Sequence, residues 1–205
     1  MDIAVNLIEN YLRVNGYLTL SEFEVQRRVS GGHYKTVTDV DIMAVRFPGD
    51  VFISDPHGAR EAELLLIEDP TLELSATTID VVIGEVKQGQ AELNDNIKNH
   101  GVLHTMLHRI EWLYGLPLDD VIQGLQRKGI HTGPSCATGE IRTRLVAFGR
   151  SDKLDLSTIS LTHVVNTMIS FMSSHEAALK PIQFKEPAPA MLRLLMKAGF
   201  SVEKD

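Results

Sequence analysis

Two charged residues close a largely apolar stretch, Ile79-Asp-Val-Val-Ile-Gly-Glu-Val-Lys87. Ile79, Val81, Val82, Ile83 and Val86 are β-branched and predict a strand buried on both faces. Glu85 and Lys87 stand at i and i+2, so on a strand their side chains leave the same face. Opposite charges at the end of a buried strand lose hydration and need compensation. A metal ion or a substrate phosphate would supply it, and so would a salt-bridged strand end at a solvated sheet rim. Upstream, Asp41 falls near the middle of a second predicted strand, residues 35–47, and Asp39 shares its face. If the two strands pair, Asp39, Asp41, Glu85 and Lys87 converge. Two or three carboxylates around one point bind a hard divalent cation through oxygen, and Mg²⁺ suits such a site because it keeps waters for a substrate. The metal would acidify a bound water and neutralise charge building on a phosphoryl oxygen. A neighbouring lysine, a compact point charge, could hold the attacking water or steady the pentavalent phosphorus.

The elements that must position these residues follow from periodicity. Residues 3–14 read as a helix with Ala4, Leu7, Ile8, Tyr11 and Leu12 on one face, Asp2 as N-cap and Asn15-Gly16 as the stop. Phe23, Val25 and Arg27 alternate with Glu24, Gln26 and Arg28, which predicts a strand, and Ser30-Gly31-Gly32-His33 a turn. In the 35–47 strand, alternation points Val40, Ile42 and Ala44 one way and Asp39, Asp41, Met43 and Val45 the other. Residues 48–78 carry turn signals at Pro48-Gly49-Asp50, Asp55-Pro56-His57-Gly58 and Asp69-Pro70, and read as an insertion with a short strand or helix at 62–67.

Downstream come mixed helical character over 90–98, a helix over 102–113, another over 117–128 stopped by Gly129, and a small-residue loop over 130–139. Strands at 141–148 and 156–161, a helix from Leu161 to about residue 178, a connector over 180–187 and a last helix over 189–198 complete the chain. This order predicts an α/β layer fold with a mixed sheet.

Val37-Thr-Asp-Val-Asp41-Ile-Met-Ala-Val45, followed after an insertion by Ile83-Gly-Glu85-Val-Lys87, resembles the PD-(D/E)XK nuclease superfamily. The E-x-K triplet alone is common. The resemblance draws its weight from the apolar strand before Glu85, the Asp inside the preceding strand and the helix ahead of both. It covers residues 3–148 and implies a three-layer α/β/α restriction-endonuclease-like core with a mixed central sheet. Residues 1–150 would form that core, with the insertion at 48–78, and 151–205 would add a C-terminal strand and extra helices to a single domain. It further implies that Asp41 and Glu85 bind Mg²⁺, or Mn²⁺, and that Lys87 assists hydrolysis of DNA phosphodiester bonds. Val40 stands where the family has Pro before the Asp. Many members add a Glu from the first helix; Glu9 flanks the apolar face there, and Glu22 and Glu24 are alternatives. Asp39 reads as support for the site, or as a charge at the strand rim, rather than as a ligand. Gln88 and Gln90 stand where many members place a polar residue beside the site.

Composition bounds these expectations. The 205 residues are 43% hydrophobic, which predicts a buried core, and the net charge of −7 opposes a wide nucleic-acid footprint while leaving room for a local basic patch. One cysteine, Cys136, excludes an intrachain disulfide and points to a reducing compartment. The N-terminus lacks a basic segment followed by a long apolar run, so it reads as no signal peptide, and no stretch has the length of a membrane span; the expectation is a soluble cytoplasmic protein. His100, His104 and His108 recur every four residues and a pair could take zinc, but a helix surface explains them more simply. Cys136 lies in a loop with no base identified beside it. Arg142, Arg144 and Arg150 could contact phosphate, with solvated surface arginines as the default. Met191, Leu192, Leu194 and Leu195 could dock a protein partner or second copy, or the chain's own core. The alternative to a DNA nuclease is a catalytically inactive nuclease-fold module that binds nucleic acid or a protein.

Overall fold

Asp2 opens α1 (Ile3–Val14): its carboxylate accepts from the Ala4 amide at 2.7 Å, and Asn15 closes the helix. The computed structural model describes residues 2–49, 52–54, 61–63, 66–137, 139–179 and 184–200, with backbone alone at 52–54, 61–63 and 178. After α1, β1 (Leu18–Arg28) and β2 (Tyr34–Arg46) form an antiparallel pair. Two short strands, β3 (Phe52–Ser54) and β4 (Glu61–Glu63), pair with each other in a separate sheet. β5 (Thr78–Gln90) is followed by α2 (His100–Leu107) and α3 (Leu118–Lys128). Then come β6 (Ile130–Pro134), β7 (Glu140–Arg150), β8 (Thr158–Ser160), α4 (Leu161–Ser174), α5 (Glu176–Leu179) and α6 (Pro187–Lys197).

The main sheet runs β1-β2-β5-β7-β6, with β8 added on β7. β5 pairs antiparallel with β2 and parallel with β7, so the sheet is mixed and β5 lies inside it. Every residue from Ile79 to Glu85 is buried, as the β-branched run predicts. Ile79, Val81 and Ile83 join Val102, Leu103, Met106, Leu107, Val121, Ile122 and Leu125 on one side. Val82, Ile42 and Ala44 join Ile8, Tyr11 and Leu12 of α1 and Val164 and Met168 of α4 on the other. The fold is thus mixed α/β, with helices against both faces of the strand that carries Glu85. Among the described residues no helix is long and apolar enough to cross a membrane.

Several elements differ from the sequence reading. Residues 130–134 are a strand rather than a loop: Ile130 to Pro134 pair antiparallel with β7, through a backbone ladder that small polar side chains do not advertise. The long helix expected over 102–113 is α-helical only to Leu107; a 3-10 segment follows over His108–Leu113, with Ile110 at φ −120°. α4 stops at Ser174, where His175 leaves the helical region. β5 extends to Gln90, and the helical character beyond it is a 3-10 turn over Asp95–Lys98. Part of the 48–78 insertion and residues 180–183 of the expected connector lie outside the described residues.

The alternation expected along β2 also breaks. Val40 packs in the same cluster as Met43, whereas Ile42 and Ala44 pack on the opposite side. The residue at which the alternation changes is Asp41.

Candidate functional site

Register brings the two acidic strands together. β2 and β5 pair through Met43↔Ile83 and Ile42↔Gly84, so the next step of the ladder sets Asp41 against Glu85. The backbone pairing of the two strands ends there, and the Asp41 side chain takes over: its Oδ2 accepts from the Val86 amide at 2.7 Å. Gly84 permits the approach. A Cβ at that position would stand 2.5 Å from Ile42 Cγ2 and 2.8 Å from Phe148 Cε2. The glycine of Ile83-Gly84-Glu85 therefore lets neighbouring side chains close over β5 one residue before the carboxylate.

Glu85 is buried at 4% exposure, and Lys87 donates from Nζ to its Oε1. The lysine side chain is 43% exposed against 5% for the glutamate, so the pair reaches from the core to solvent. Burial pushes the Asp41 carboxyl above its ordinary value; the Val86 amide and the Lys87 charge oppose this, and Asp2 and Asp39 add to it. Burial likewise raises Glu85, opposed by the Lys87 hydrogen bond and reinforced by the charges of Asp41 and Asp39. The hydrogen bond to Glu85 raises Lys87, so the amine is held in its charged form. Asp41, Glu85 and Lys87 thus act electrostatically on one another. The two carboxylates resist ionising side by side, and a cation between them would relieve that resistance.

The donor chemistry fits a hard divalent ion. Two carboxylates with open coordination positions suit Mg²⁺, which retains several waters. Among the described residues no group of three or more His, Cys, Asp or Glu side chains is assembled to hold a metal. His100, His104 and His108 instead stack along α2 and the segment after it, with ring centroids 6.1 and 5.6 Å apart, and His100 and His108 pair with Asp119 and Glu111.

The expected supporting residues distribute unevenly. Asp39 is exposed and reaches the site through its charge. Gln88 donates from Nε2 to Asp2 Oδ2 at 3.0 Å, which ties the strand after Lys87 to the start of α1. Gln90 is exposed and pairs with Arg150 beyond a register shift that follows Val86. Glu9 is 3% exposed and is engaged elsewhere, accepting from Arg13 Nη2 at 2.7 Å and Thr19 Oγ1 at 3.0 Å. Glu24 is exposed and accepts from Gln26 and Thr36. Glu22 lies between the pairs Ser21↔Ile42 and Phe23↔Val40, which sets it opposite Asp41 on the other side of β2; its φ is +48°, and its Oε1 accepts from the Asp2 amide at 2.7 Å.

Sequence reasoning placed Asp2 only as a helix cap, yet its charge acts on Asp41. It also missed what Arg142 and Arg144 do. Neither is a solvated surface arginine: Arg144 is 1% exposed and its Nη2 lies 2.9 Å from Asp80 Oδ2, while Arg142 Nε lies 2.5 Å from Asp80 Oδ1. The Tyr17 hydroxyl donates to Asp80 Oδ2 at 2.5 Å, and burial followed by the Asp80 charge raises the Tyr17 pKa. The available signal was Asp80 itself, a lone charge inside the apolar run. A second buried carboxylate, Asp69, receives Tyr11 Oη at 2.8 Å and the Thr71 amide at 2.9 Å, and its Oδ2 lies 2.6 Å from His163 Nε2. Burial pushes Asp69 up, but His163, Thr71 and Tyr11 outweigh it and hold the carboxyl well below the usual range. Both networks lock elements together away from the Asp41–Glu85 pair. Cys136 is exposed, and its Sγ donates to the Tyr114 carbonyl at 3.1 Å.

Compared with known families, curated proteins and solved structures, this chain matches none.

Proposed function

We propose that this chain is a Mg²⁺-dependent nuclease that hydrolyses DNA phosphodiester bonds at Asp41, Glu85 and Lys87, in a three-layer α/β/α restriction-endonuclease-like core. The observation that carries the reading is the register that sets half-buried Asp41 against buried Glu85, with Lys87 paired to Glu85 and open to solvent. The sequence resemblance and the antiparallel β1–β2–β5 order, followed by helices and a strand parallel to β5, support it.

In this reading Asp41 and Glu85 would hold the ion. When bound, the ion would supply a Lewis acid for the phosphoryl oxygens and an acidified water. The chain's own residues do the rest. The Val86 amide fixes one oxygen of Asp41, Oδ2, and Oδ1 would be the oxygen offered to the ion. Burial of Glu85 keeps its charge poorly screened by water. Lys87 is held protonated by Glu85, so its role is electrostatic: a positive charge beside the phosphoryl group, rather than a base that removes a proton from water. The charges of Asp39 and Asp2 act on Asp41, and Gln88 holds Asp2 through a hydrogen bond. A cytoplasmic role in repair, defence or mobile-element processing suits such chemistry better than bulk digestion.

The test is cleavage of supercoiled plasmid and labelled oligonucleotides with Mg²⁺ or Mn²⁺. The account expects activity in the wild type and loss of about a hundredfold or more in Asp41→Asn, Glu85→Gln and Lys87→Ala. Equal activity in the variants would assign the cleavage to another protein and remove the reading. The net charge of −7 favours the second reading, a nuclease-fold module without catalysis that binds nucleic acid or a protein partner or homodimerises through exposed Met191, Leu194 and Leu195. That reading expects binding without metal-dependent cleavage.

A further inference from the structure

The β1–β2 hairpin runs past the sheet. β2 pairs with β5 only from Ile42 to Arg46, whereas β1 and β2 stay paired out to Arg28↔Tyr34. A register shift between Val25 and Gln26 falls where the ribbon leaves the core: Val25 is buried, and residues 26–28 and 30–36 are exposed. Such a bulge bends a strand and increases its twist, which turns the tip away from the sheet plane. The turn is defined: the Val29 amide donates to the His33 carbonyl at 2.9 Å, and Gly31 and Gly32 take φ of +91° and +82°, a region side chains rarely enter.

The charge of this tip opposes that of the molecule. The chain carries −7, yet residues 25–38 hold Arg27, Arg28 and Lys35 with no Asp or Glu. Arg27 and Lys35 are direct cross-strand partners, an arrangement that costs the hairpin stability through like-charge repulsion. Among the described residues none of these three cations has an ion-pair partner. Arg13, Arg46, Lys87, Arg142 and Arg144 are each paired with a carboxylate, and the tip differs from the other exposed cations in setting two of its charges directly across one strand pair. Arg28 lies opposite Tyr34, which is 66% exposed, so the other face of the ribbon presents a cation beside an aromatic ring.

We infer that the β1–β2 tip is an arm that binds duplex DNA, with Arg27, Arg28 and Lys35 on the phosphates and Tyr34 against the groove. The major groove of B-DNA, about 12 Å wide, admits a two-stranded ribbon, whereas the deep narrow major groove of A-form RNA does not. Uncompensated cations on a ribbon that enters the groove meet phosphates on both walls, which removes the repulsion between Arg27 and Lys35. The inference deepens the nuclease reading and rests on it for the choice of DNA as the polyanion. β2 carries both the arm and Asp41, so a duplex held at the tip lies along the strand that leads to the Asp41–Glu85 pair.

The test is fluorescence anisotropy of a short labelled DNA duplex titrated with the full chain in EDTA, where binding is read without cleavage, over a series of salt concentrations. The triple variant Arg27→Ala, Arg28→Ala, Lys35→Ala is expected to bind about tenfold or more weakly, with a salt dependence shallower by roughly three phosphate contacts. Charge-conserving Arg27→Lys, Arg28→Lys is expected to keep the wild-type salt slope, and Tyr34→Ala to weaken binding without changing it. Unchanged affinity and slope in the triple variant, no binding by the wild type, or preference for duplex RNA or anionic vesicles over DNA would overturn the arm. The two proposals separate: DNA binding lost in the triple variant but with no Mg²⁺-dependent cleavage by the wild type leaves the arm and removes the nuclease, whereas Mg²⁺-dependent cleavage unaffected by the triple substitution removes the arm alone.

Discussion

The Asp41 carboxylate accepts the Val86 amide at 2.7 Å, one residue beyond the last backbone pair between β2 and β5. A side chain therefore stands where the strand ladder stops, and it belongs to the residue at which the packing of β2 changes sides. This bond fixes Asp41 to the backbone between Glu85 and Lys87, which gives the candidate site its geometry before any ligand arrives. It also separates two roles of Asp41, acceptor and charge. Asn at this position keeps the acceptor and loses the charge, whereas Ala loses both. Asp41→Ala is expected to destabilise by about 1–3 kcal/mol, since the part-buried Val86 amide is left without its acceptor. Asp41→Asn is expected to be close to wild type in urea unfolding. Equal losses in both variants would show that the hydrogen bond does not matter.

The site's pH dependence has a definite sign. Asp41 and Glu85 have folded pKa values raised above their unfolded ones, chiefly by burial. Between those values the folded protein binds more protons than the unfolded chain, so stability falls as pH rises through the window. Relative to the double variant Asp41→Asn, Glu85→Gln, the metal-free wild type is expected to lose thermal stability as pH rises from the ordinary carboxylate range through the raised folded values. Mg²⁺ at neutral pH is expected to raise the melting midpoint of the wild type and not of the variant. Parallel pH profiles for the two proteins would contradict this.

Gly84 is required for close approach. Ala at this position would bring Cβ to 2.5 Å from Ile42 Cγ2 and 2.8 Å from Phe148 Cε2, both fully buried side chains. Overpacking of this kind costs about 1–3 kcal/mol. Gly84→Ala is expected to lower the chemical-denaturation midpoint and to weaken divalent-ion binding, because β5 must shift where it presents Glu85. Combining it with Ile42→Ala, which removes the clashing Cγ2 methyl, is expected to cost less than the sum of the two single losses. Additive losses in the pair would argue against the clash.

Arg144 is a structural cation. It is 1% exposed and meets Asp80, the Tyr17 hydroxyl and the Leu156 carbonyl. Removing one member of a buried pair leaves the other charge uncompensated, so Arg144→Ala is expected to cost about 3–5 kcal/mol in equilibrium unfolding. Arg144→Lys is expected to recover little, because one ammonium cannot reproduce the guanidinium fork that meets three partners. A small loss would reassign Arg144 to the ligand contacts that its sequence position suggested.

Much of this was legible in the sequence, for identifiable reasons. The Ile79–Val86 run announces a strand covered on both faces because β-branched residues without alternation have no solvent side, and Ile79 to Glu85 are buried. The Asp2 cap and the Asn15-Gly16 stop fix α1 through local hydrogen bonds. β6 was not legible, because its pairing is made by backbone groups of residues with little apolar character. The break in β2 at Asp41 was not legible either: period two is a local rule, and the side change depends on where β5 departs from β2. Asp80 lies far along the chain from Arg142 and Arg144 and meets them only through the parallel β5–β7 register that sets it opposite Arg142. Glu9 shows the limit of face arguments, since helical periodicity places it beside the core while Arg13 and Thr19 decide what its carboxylate meets.

The central claim is that Asp41 and Glu85 together hold a divalent cation. Isothermal titration of the metal-free protein with Mn²⁺ at neutral pH measures it directly, with Glu85→Gln as the comparison. The account predicts saturable one-site binding by the wild type that is lost in Glu85→Gln while the variant stays folded. No binding by the wild type, or binding equal in the two proteins, would contradict it.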